Sequence, residues 1–255
     1  MVDLHCHILP GRDDGAEDLD EALAMSRLAV ADGITDIVAT PHAQDGLHDN
    51  SSNEVCSAVD RLQAELDRHG IPLRLHPGME VHLHVALLDN LGAGQLLTFC
   101  DGHKHLLLEL PALSIPSCTE AILYELQVLG VTPIIAHPER NLALQEHPER
   151  LAEWVSDGSV AQLTGGSLLG KFGRAAQRAA EEMVRHDWAH LIASDGHSAE
   201  RRRPQLGAAY ERLAQLTSRD TMMTYRERAL AVVKGEHFQT AEPQVSTKRK
   251  RWRWL

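Results

Sequence analysis

The sequence is short of aromatics, has no long apolar run and keeps its few cysteines far apart. Only 4% of residues are Phe, Trp or Tyr, so a core must be assembled mainly from Leu, Ala, Val and Ile. No stretch approaches the roughly 18 apolar residues that mark a membrane-spanning helix. The start, Met1-Val2-Asp3-Leu4-His5, lacks a basic segment followed by an apolar one. Cys6, Cys56, Cys100 and Cys118 form no CxxC pair, which excludes a zinc ribbon and points to no disulfide framework. Reduced thiols in a cytoplasmic protein are the expectation. Cationic charge is scarce as well: 25 Lys and Arg face 36 Asp and Glu, for a net charge of −11. Nucleic acid is therefore a poor partner for the chain as a whole, since phosphate contacts need clustered cations.

Two further absences concern chemistry. No GxGxxG or P-loop glycine pattern follows the first apolar run, which weakens a nucleotide-binding reading. A phosphocysteine loop, Cys-X5-Arg, is missing in any usable form. Six residues after Cys56, Cys100 and Cys118 stand Leu62, Leu106 and Tyr124. Cys6 does have Arg12 at that distance, but His7 and Pro10 lie between them in a segment unlike a glycine-rich phosphate cradle.

What the chain does have is histidine, 16 in 255 residues, on a background that is 43% hydrophobic. Histidine is the commonest metal ligand and the side chain best suited to proton transfer near neutral pH. Apolar runs with strand character fall at 2–5, 34–39, 72–79, 105–110, 131–136, 159–163 and 189–193. Helical periodicity fills 17–32, 52–69, 118–129, 145–157, 168–186, 205–217 and 220–234. Seven strands alternating with helices predict an α/β fold of parallel βαβ units with right-handed crossovers, either a closed barrel or an open doubly wound sheet. No internal repeat or long linker divides the chain, and one domain over residues 1–240 is expected, followed by a tail.

Placed on this map, the metal-ligating residue types gather at strand ends. His5 and His7 end the first strand, with Asp14 in the loop after it. His42 follows the second strand, Glu80 and Glu109 end the third and fourth, His137 follows the fifth, and Asp195 and His197 follow the seventh. The carboxyl ends of parallel barrel strands form one rim, where such folds assemble active sites. Residues i and i+2 on a strand point to one side, so His5 and His7 can grip one cation while Cys6 turns into packing. Five histidines and four acids make a nitrogen and oxygen donor set suited to Zn²⁺, Mn²⁺ or Fe²⁺ rather than to a thiolate structural site. Nine donors exceed the needs of one ion, so two or three ions are expected. His82 and His84 fall beyond Glu80, in an expected loop, and are not counted as ligands; His103 and His105 lie at the opposite rim and are expected to be solvated.

The strings Asp3-Leu4-His5-Cys6-His7-Ile8-Leu9-Pro10-Gly11-Arg12-Asp13-Asp14-Gly15, Thr40-Pro41-His42, Gly78-Met79-Glu80-Val81, Glu109-Leu110-Pro111, Ala136-His137-Pro138-Glu139-Arg140-Asn141 and Ser194-Asp195-Gly196-His197 resemble the polymerase-and-histidinol-phosphatase (PHP) superfamily. Within it the chain is similar to the bacterial capsule- and exopolysaccharide-associated tyrosine-protein phosphatases, with Gly166-Ser167-Leu168-Leu169-Gly170 as a further shared feature. The resemblance spans residues 1 to about 235. It implies a distorted (β/α)7 barrel with a trinuclear centre, usually of manganese, with iron, zinc or cobalt as substitutes. His5, His7, Glu80 and Asp195 would hold one ion, Glu80, Glu109 and His137 a second, and Asp14, His42 and His197 a third. It also implies a phosphate clamp made by Arg140 and one arginine of Arg201-Arg202-Arg203, with Arg203 aligning best. The implied substrate is phosphotyrosine on the tail of a bacterial tyrosine kinase that controls polysaccharide synthesis.

The same residues leave other functions open: a small-molecule phosphatase of the histidinol-phosphate kind, a nucleic-acid phosphoesterase, or a regulatory module in which metals only stabilise the fold. A structural site is normally closed, four-coordinate and smaller than this set. Residues 241–255 close on Lys248-Arg249-Lys250-Arg251-Trp252-Arg253-Trp254-Leu255. That composition reads as a solvated tail, or as a peripheral contact with an anionic membrane surface, where each basic residue adds about 1 kcal/mol. The helical exterior, 17–32 included, is compatible with a homo-oligomer but reads first as ordinary barrel surface.

Overall fold

The computed structural model describes residues 1–238 and 240; the basic, tryptophan-bearing tail lies outside the described residues. Elements run β1 (Val2–Cys6), α1 (Leu19–Ala31), β2 (Asp36–Ala39), β3 (His42–Ala43), α2 (Ser52–Arg68), β4 (Arg74–Pro77), β5 (Glu80–His82), α3 (Leu87–Gly92) and β6 (His105–Glu109). They continue with α4 (Thr119–Val128), β7 (Thr132–Ala136), α5 (Leu142–Glu146), α6 (Pro148–Ser156), β8 (Val160–Thr164), α7 (Gly165–Leu168), α8 (Gly173–Arg185), β9 (Leu191–Ala193), α9 (Gly207–Leu216) and α10 (Arg219–Val233).

The strand segments make seven passages, all parallel. β2 and β3 are one passage interrupted at Thr40-Pro41, where proline offers no N–H to the ladder. β4 and β5 are likewise one passage broken at Gly78-Met79. Hydrogen bonds bridge the breaks, Cys6 O accepting from Thr40 N at 3.0 Å and Pro41 O from Glu80 N at 3.2 Å. The ring closes between β9 and β1, with His5 O accepting from Asp195 N at 2.9 Å and Gly196 O from His7 N at 2.8 Å. The open-sheet alternative is thereby excluded: the chain forms a distorted seven-stranded parallel barrel.

Two apolar layers follow from the pleat. Val2, Leu4, Val38, Leu107, Ile134, Ala136, Val160, Leu191 and Ala193 fill the barrel interior, joined by Phe99, Ala229 and Val232. Alternate residues such as Ile37, Leu106, Leu108, Ile135, Ala161 and Ile192 face the helices. In β1 the alternation is broken. Asp3 pairs with Ile37 and Cys6 with Ala39, so three steps along β1 match two along β2. This extra residue is a β-bulge, and it changes which parity faces inward.

Helix starts follow local chemistry. Asp18 Oδ1 accepts from Glu21 N at 2.9 Å, Asn141 Oδ1 from Leu144 N at 2.8 Å, and Ser218 Oγ from Thr221 N at 3.0 Å. Ser51 and Glu54 form a capping box. The helix expected over 145–157 is instead the pair α5 and α6, divided at His147-Pro148 because proline starts a helix far better than it continues one. The helix expected over 168–186 is α8 preceded by the single turn α7. The short α3 has too few residues to produce a periodic signal.

The expectation that His105 is solvated is overturned. It opens β6 fully buried and stacks on Phe238 with ring centroids 6.4 Å apart. Burial, with the nearby charges of His237 and Lys104, pushes its pKa down to about 4. His190 is also buried, its Nδ1 accepting from Ala161 N at 3.2 Å; burial and Arg228 push its pKa down to about 3. Both rings are neutral in the fold and become charged in the unfolded chain below the ordinary histidine value of about 6.5. The unfolded state then binds more protons, so stability is lost as pH falls through the window from about 6.5 to 4. Each ring contributes a slope of up to about 1.4 kcal/mol per pH unit. Urea denaturation of wild type and His190→Gln between pH 7 and 4.5 should show the variant's slope shallower by about that amount; parallel curves would contradict the assignment.

Candidate metal centre

All nine donors expected from the sequence meet at the carboxyl-terminal mouth of the barrel. Glu80 is the hub. Its Oε2 lies 3.1 Å from His5 Nε2, 3.3 Å from His7 Nε2 and 3.3 Å from His42 Nδ1, and its Oε1 lies 2.8 Å from His137 Nε2. Asp14 Oδ1 reaches His197 Nε2 at 3.3 Å and His42 Nε2 at 3.5 Å. Glu109 stands 3.6 Å from His42 and 3.8 Å from His137, and Asp195 Oδ1 is 3.5 Å from both His5 Nε2 and His197 Nδ1. Donor atoms sharing an ion with bonds of about 2.1 Å sit roughly 3.0–3.4 Å apart, which is the spacing found at the hub.

Three overlapping groups can each hold an ion: His5, His7 and Glu80; His42, Glu80 and Glu109; and His7, Asp14, His42 and His197. The partition differs in detail from the one the resemblance implies, for His7 and His42 each serve two groups while His137 and Asp195 face the cluster without completing a group. The donors fit a divalent cation on a further count. His42 Nδ1 is buried with no hydrogen-bond partner among the described residues, although Glu80 lies within reach.

Local backbone explains the aim of these side chains. The bulge in β1 lets His5 and His7 face the mouth while Leu4 fills the interior and Cys6 packs outward. The loop after β1 folds back on the strand: Ala16 N donates to His7 O at 3.0 Å, and a Cβ on Gly15 would lie 2.0 Å from that same oxygen. Only glycine allows this approach. His137 (φ 32°) and Asp195 (φ 53°) both adopt the left-handed region just past their strands, a conformation that is costly for a non-glycine residue and concentrates at functional sites.

Charge is balanced tightly here. Burial opposes ionisation of Glu80, but the imidazoles of His5, His137 and His7 outweigh it and hold the carboxyl well below its usual range. Asp195 behaves alike: burial raises its pKa, while His5, Arg202 and His137 lower it further. The hydrogen bond from His197 draws Asp14 down. For His7, burial is outweighed by Asp13 and Glu80, and the imidazole is held well above its ordinary value.

Several residues at the site were not singled out from the sequence. Asp13 Oδ2 accepts from His7 Nδ1 at 2.7 Å and from the His42 backbone N at 2.9 Å, a carboxylate–histidine pairing of the kind that fixes ligand orientation. The Asp13-Asp14 doublet was its only signal. Gln162 Nε2 stands 3.0 Å from His5 Nδ1, and Glu139 Oε1 accepts from Thr164 N at 2.9 Å. The arginine that reaches the cluster beside Arg140 is Arg202: both bond to Asp195 Oδ2. Arg203 lines an adjacent cavity of about 230 Å³ together with Arg201, Arg202, Phe172 and Ser194. His82 is the end of β5 rather than a loop residue; its Nδ1 is 3.5 Å from Glu109, outside the three groups. His84 bonds to Gln44.

Replacing Asp13 by Asn keeps its shape and removes the charge behind His7. Calorimetric titration with Mn²⁺ should show affinity about 10- to 100-fold weaker in Asp13→Asn, and equal affinity would deny Asp13 that part.

Comparison with known proteins agrees with this architecture. The family described as "Capsular polysaccharide synthesis, CpsB/CapC" matches residues 1–229. The tyrosine-protein phosphatase YwqE of Bacillus subtilis is 40% identical over 202 residues, 79% of each chain. CapC of Staphylococcus aureus is 31% identical over 252 residues, covering 99% of this chain and 98% of that one. A crystal structure from the pair YwqE of Bacillus subtilis and CpsB of Streptococcus pneumoniae, reported as unique metal-dependent tyrosine phosphatases, superposes with a TM-score of 0.93 at 35% identity, over 96% of this chain and 98% of that one. With a match that runs through the whole barrel and its rim, this chain belongs to the CpsB/CapC family of capsular polysaccharide synthesis.

Proposed function

We propose that this protein is a metal-dependent phosphatase that hydrolyses phosphotyrosine on protein, acting on the tail of a bacterial tyrosine kinase in the cytoplasm. The observation that carries the reading is three donor groups that overlap through His7, His42 and Glu80, beside two guanidiniums at Asp195. His5, His7, Asp14, His42, Glu80, Glu109, His137, Asp195 and His197 would hold two or three ions, Mn²⁺ first, with Fe²⁺, Zn²⁺ and Co²⁺ also suited to such donors. Bound divalent ions supply Lewis acidity and bring the pKa of water from 15.7 towards about 7.

The chain's own side chains do the rest. Arg140 and Arg202 bind the equatorial phosphoryl oxygens through their planar forks and offset the charge that develops there. Asp13 and Gln162 orient His7 and His5. A tyrosinate leaving group, pKa about 10, departs without strong general-acid help. Cys6, buried and with its thiol pKa pushed well up by burial, is no nucleophile.

A polypeptide substrate is supported by the rim. Leu47, Val85 and Leu113 are largely exposed on the loops that follow β3, β5 and β6, apolar side chains that a polypeptide at the mouth could cover. Among the described residues no helix is long and apolar enough to cross a membrane; a kinase tail would have to reach the site.

Protein stripped with a chelator should lose hydrolysis of p-nitrophenyl phosphate and of a phosphotyrosyl peptide, and regain both with Mn²⁺. The peptide should be preferred to histidinol phosphate. Arg140→Ala should lower kcat/KM by about 10²- to 10³-fold with its melting temperature kept. A metal-replete protein inactive on all three substrates, or an Arg140 variant that loses stability and keeps its rate, would overturn the proposal.

A further inference from the structure

The two guanidiniums at the rim share an unusual arrangement. Both bond to the same oxygen of Asp195, and two like charges so close repel each other. Asp195 turns Oδ1 to the metal donors and Oδ2 to the two arginines; a carboxylate that shares its charge with an ion holds two guanidiniums less firmly. Arg202 Nε is buried without a hydrogen-bond partner among the described residues, so no further polar contact holds that edge.

What both arginines do share is one aromatic ring. The Cζ of Arg140 lies 4.6 Å, and that of Arg202 5.6 Å, from the ring centroid of Phe172. A ring face attracts cations within about 6 Å. The ring has a prepared seat. Phe172 follows the turn after α7, and a Cβ on Gly166 would lie 2.9 Å from its Cε2 and 3.4 Å from its Cδ2. Gly166 does not sit in the left-handed region, so glycine is not required there by backbone conformation; the close approach of the ring is what excludes a side chain. Gly166, which opens the segment Gly166-Ser167-Leu168-Leu169-Gly170 that the metal ligands leave without a role, thus supports this ring.

We propose that Phe172 is a positioning residue for phosphate capture: its ring, seated against Gly166, holds Arg140 and Arg202 at the mouth independently of Asp195. This rests on the phosphatase reading of the site. Phe172 touches no reacting atom. It keeps two long, flexible cations in place before substrate arrives, and so lowers the cost of organising them on binding.

The test measures inorganic phosphate binding by calorimetry and p-nitrophenyl phosphate kinetics on the Mn²⁺-loaded enzyme, for wild type, Phe172→Leu, Phe172→Tyr and Gly166→Ala. Two lost cation–π contacts predict a phosphate dissociation constant and KM about 5- to 20-fold higher in Phe172→Leu, with kcat changed less than KM. Phe172→Tyr should stay within about twofold of wild type, because its ring face is retained. Gly166→Ala should imitate Phe172→Leu by pushing the ring aside, with Mn²⁺ affinity and melting temperature kept. Should Phe172→Leu fail to fold, Gly166→Ala against Phe172→Tyr decides. Phosphate affinity unchanged in Gly166→Ala or in a folded Phe172→Leu, while wild type turns over normally, sinks the platform alone. A wild type that hydrolyses no phosphomonoester sinks the reading beneath it.

Discussion

The rim depends on one extra residue in β1. Without it, strict alternation would send Leu4 and Cys6 to one face and His5 to the other. With it, Leu4 fills the barrel while His5 and His7 both reach the mouth. The bulge is held by Asp3, whose Oδ1 accepts from Ser194 N at 2.9 Å and from His5 N at 3.4 Å. Asp3 therefore ties the first strand to the last at the point where the ring closes. Burial pushes its pKa up to about 6 despite those bonds, a measure of how far from water the joint lies. The remaining donors arrive on strands whose registers are fixed relative to this joint.

Such a cluster conflicts with the rest of the fold. Four acids and five imidazoles packed at 3–4 Å cannot all be charged, and cannot all be neutral without leaving buried polar atoms unpaired. In the protein alone, the conflict is met by imidazole–carboxylate pairs around Glu80 and by two guanidiniums on Asp195. A barrel selected for stability would replace these groups with apolar ones. Left-handed backbone at His137 and Asp195 adds strain in the same place. Charge and strain together mark the mouth as a site kept for its chemistry.

Much of this was legible in the sequence, and the limits have physical causes. The seven strands announced themselves because parallel strands buried on both faces read as continuous apolar runs. The donors could be placed because strand ends define the rim without knowledge of any side-chain position. Pairings across the mouth could not be read, since His42 joins two donor groups through its two ring nitrogens, which no periodicity encodes. The bulge was equally silent: one extra residue in a five-residue strand leaves the apolar pattern unchanged. Position in the arginine triplet could not say which side chain reaches Asp195, because that is set by the loop path; Arg202 is the one that does. His105 was misjudged for a related reason: the packing of Phe238 over it comes from the far end of the chain, beyond any local window.

The two halves of the site are built on different supports, and this bears on how they work. The candidate metal donors other than Asp14 stand at or just past the strand ends of a closed ring, where hydrogen bonds to neighbouring strands fix the backbone. The arginines proposed to bind phosphate stand outside the strands, Arg140 in the turn after β7 and Arg202 in the loop after β9. Ion spacing tolerates little error, so rigid strands suit it. Phosphate must enter and product must leave, so its grip belongs on elements that can yield. The difficulty is that a yielding grip is costly to organise, as each arginine carries about 2 kcal/mol of rotamer entropy. An aromatic plate shared by two guanidiniums answers that difficulty: it restricts the side chains without hydrogen-bonding the donors that the phosphate needs.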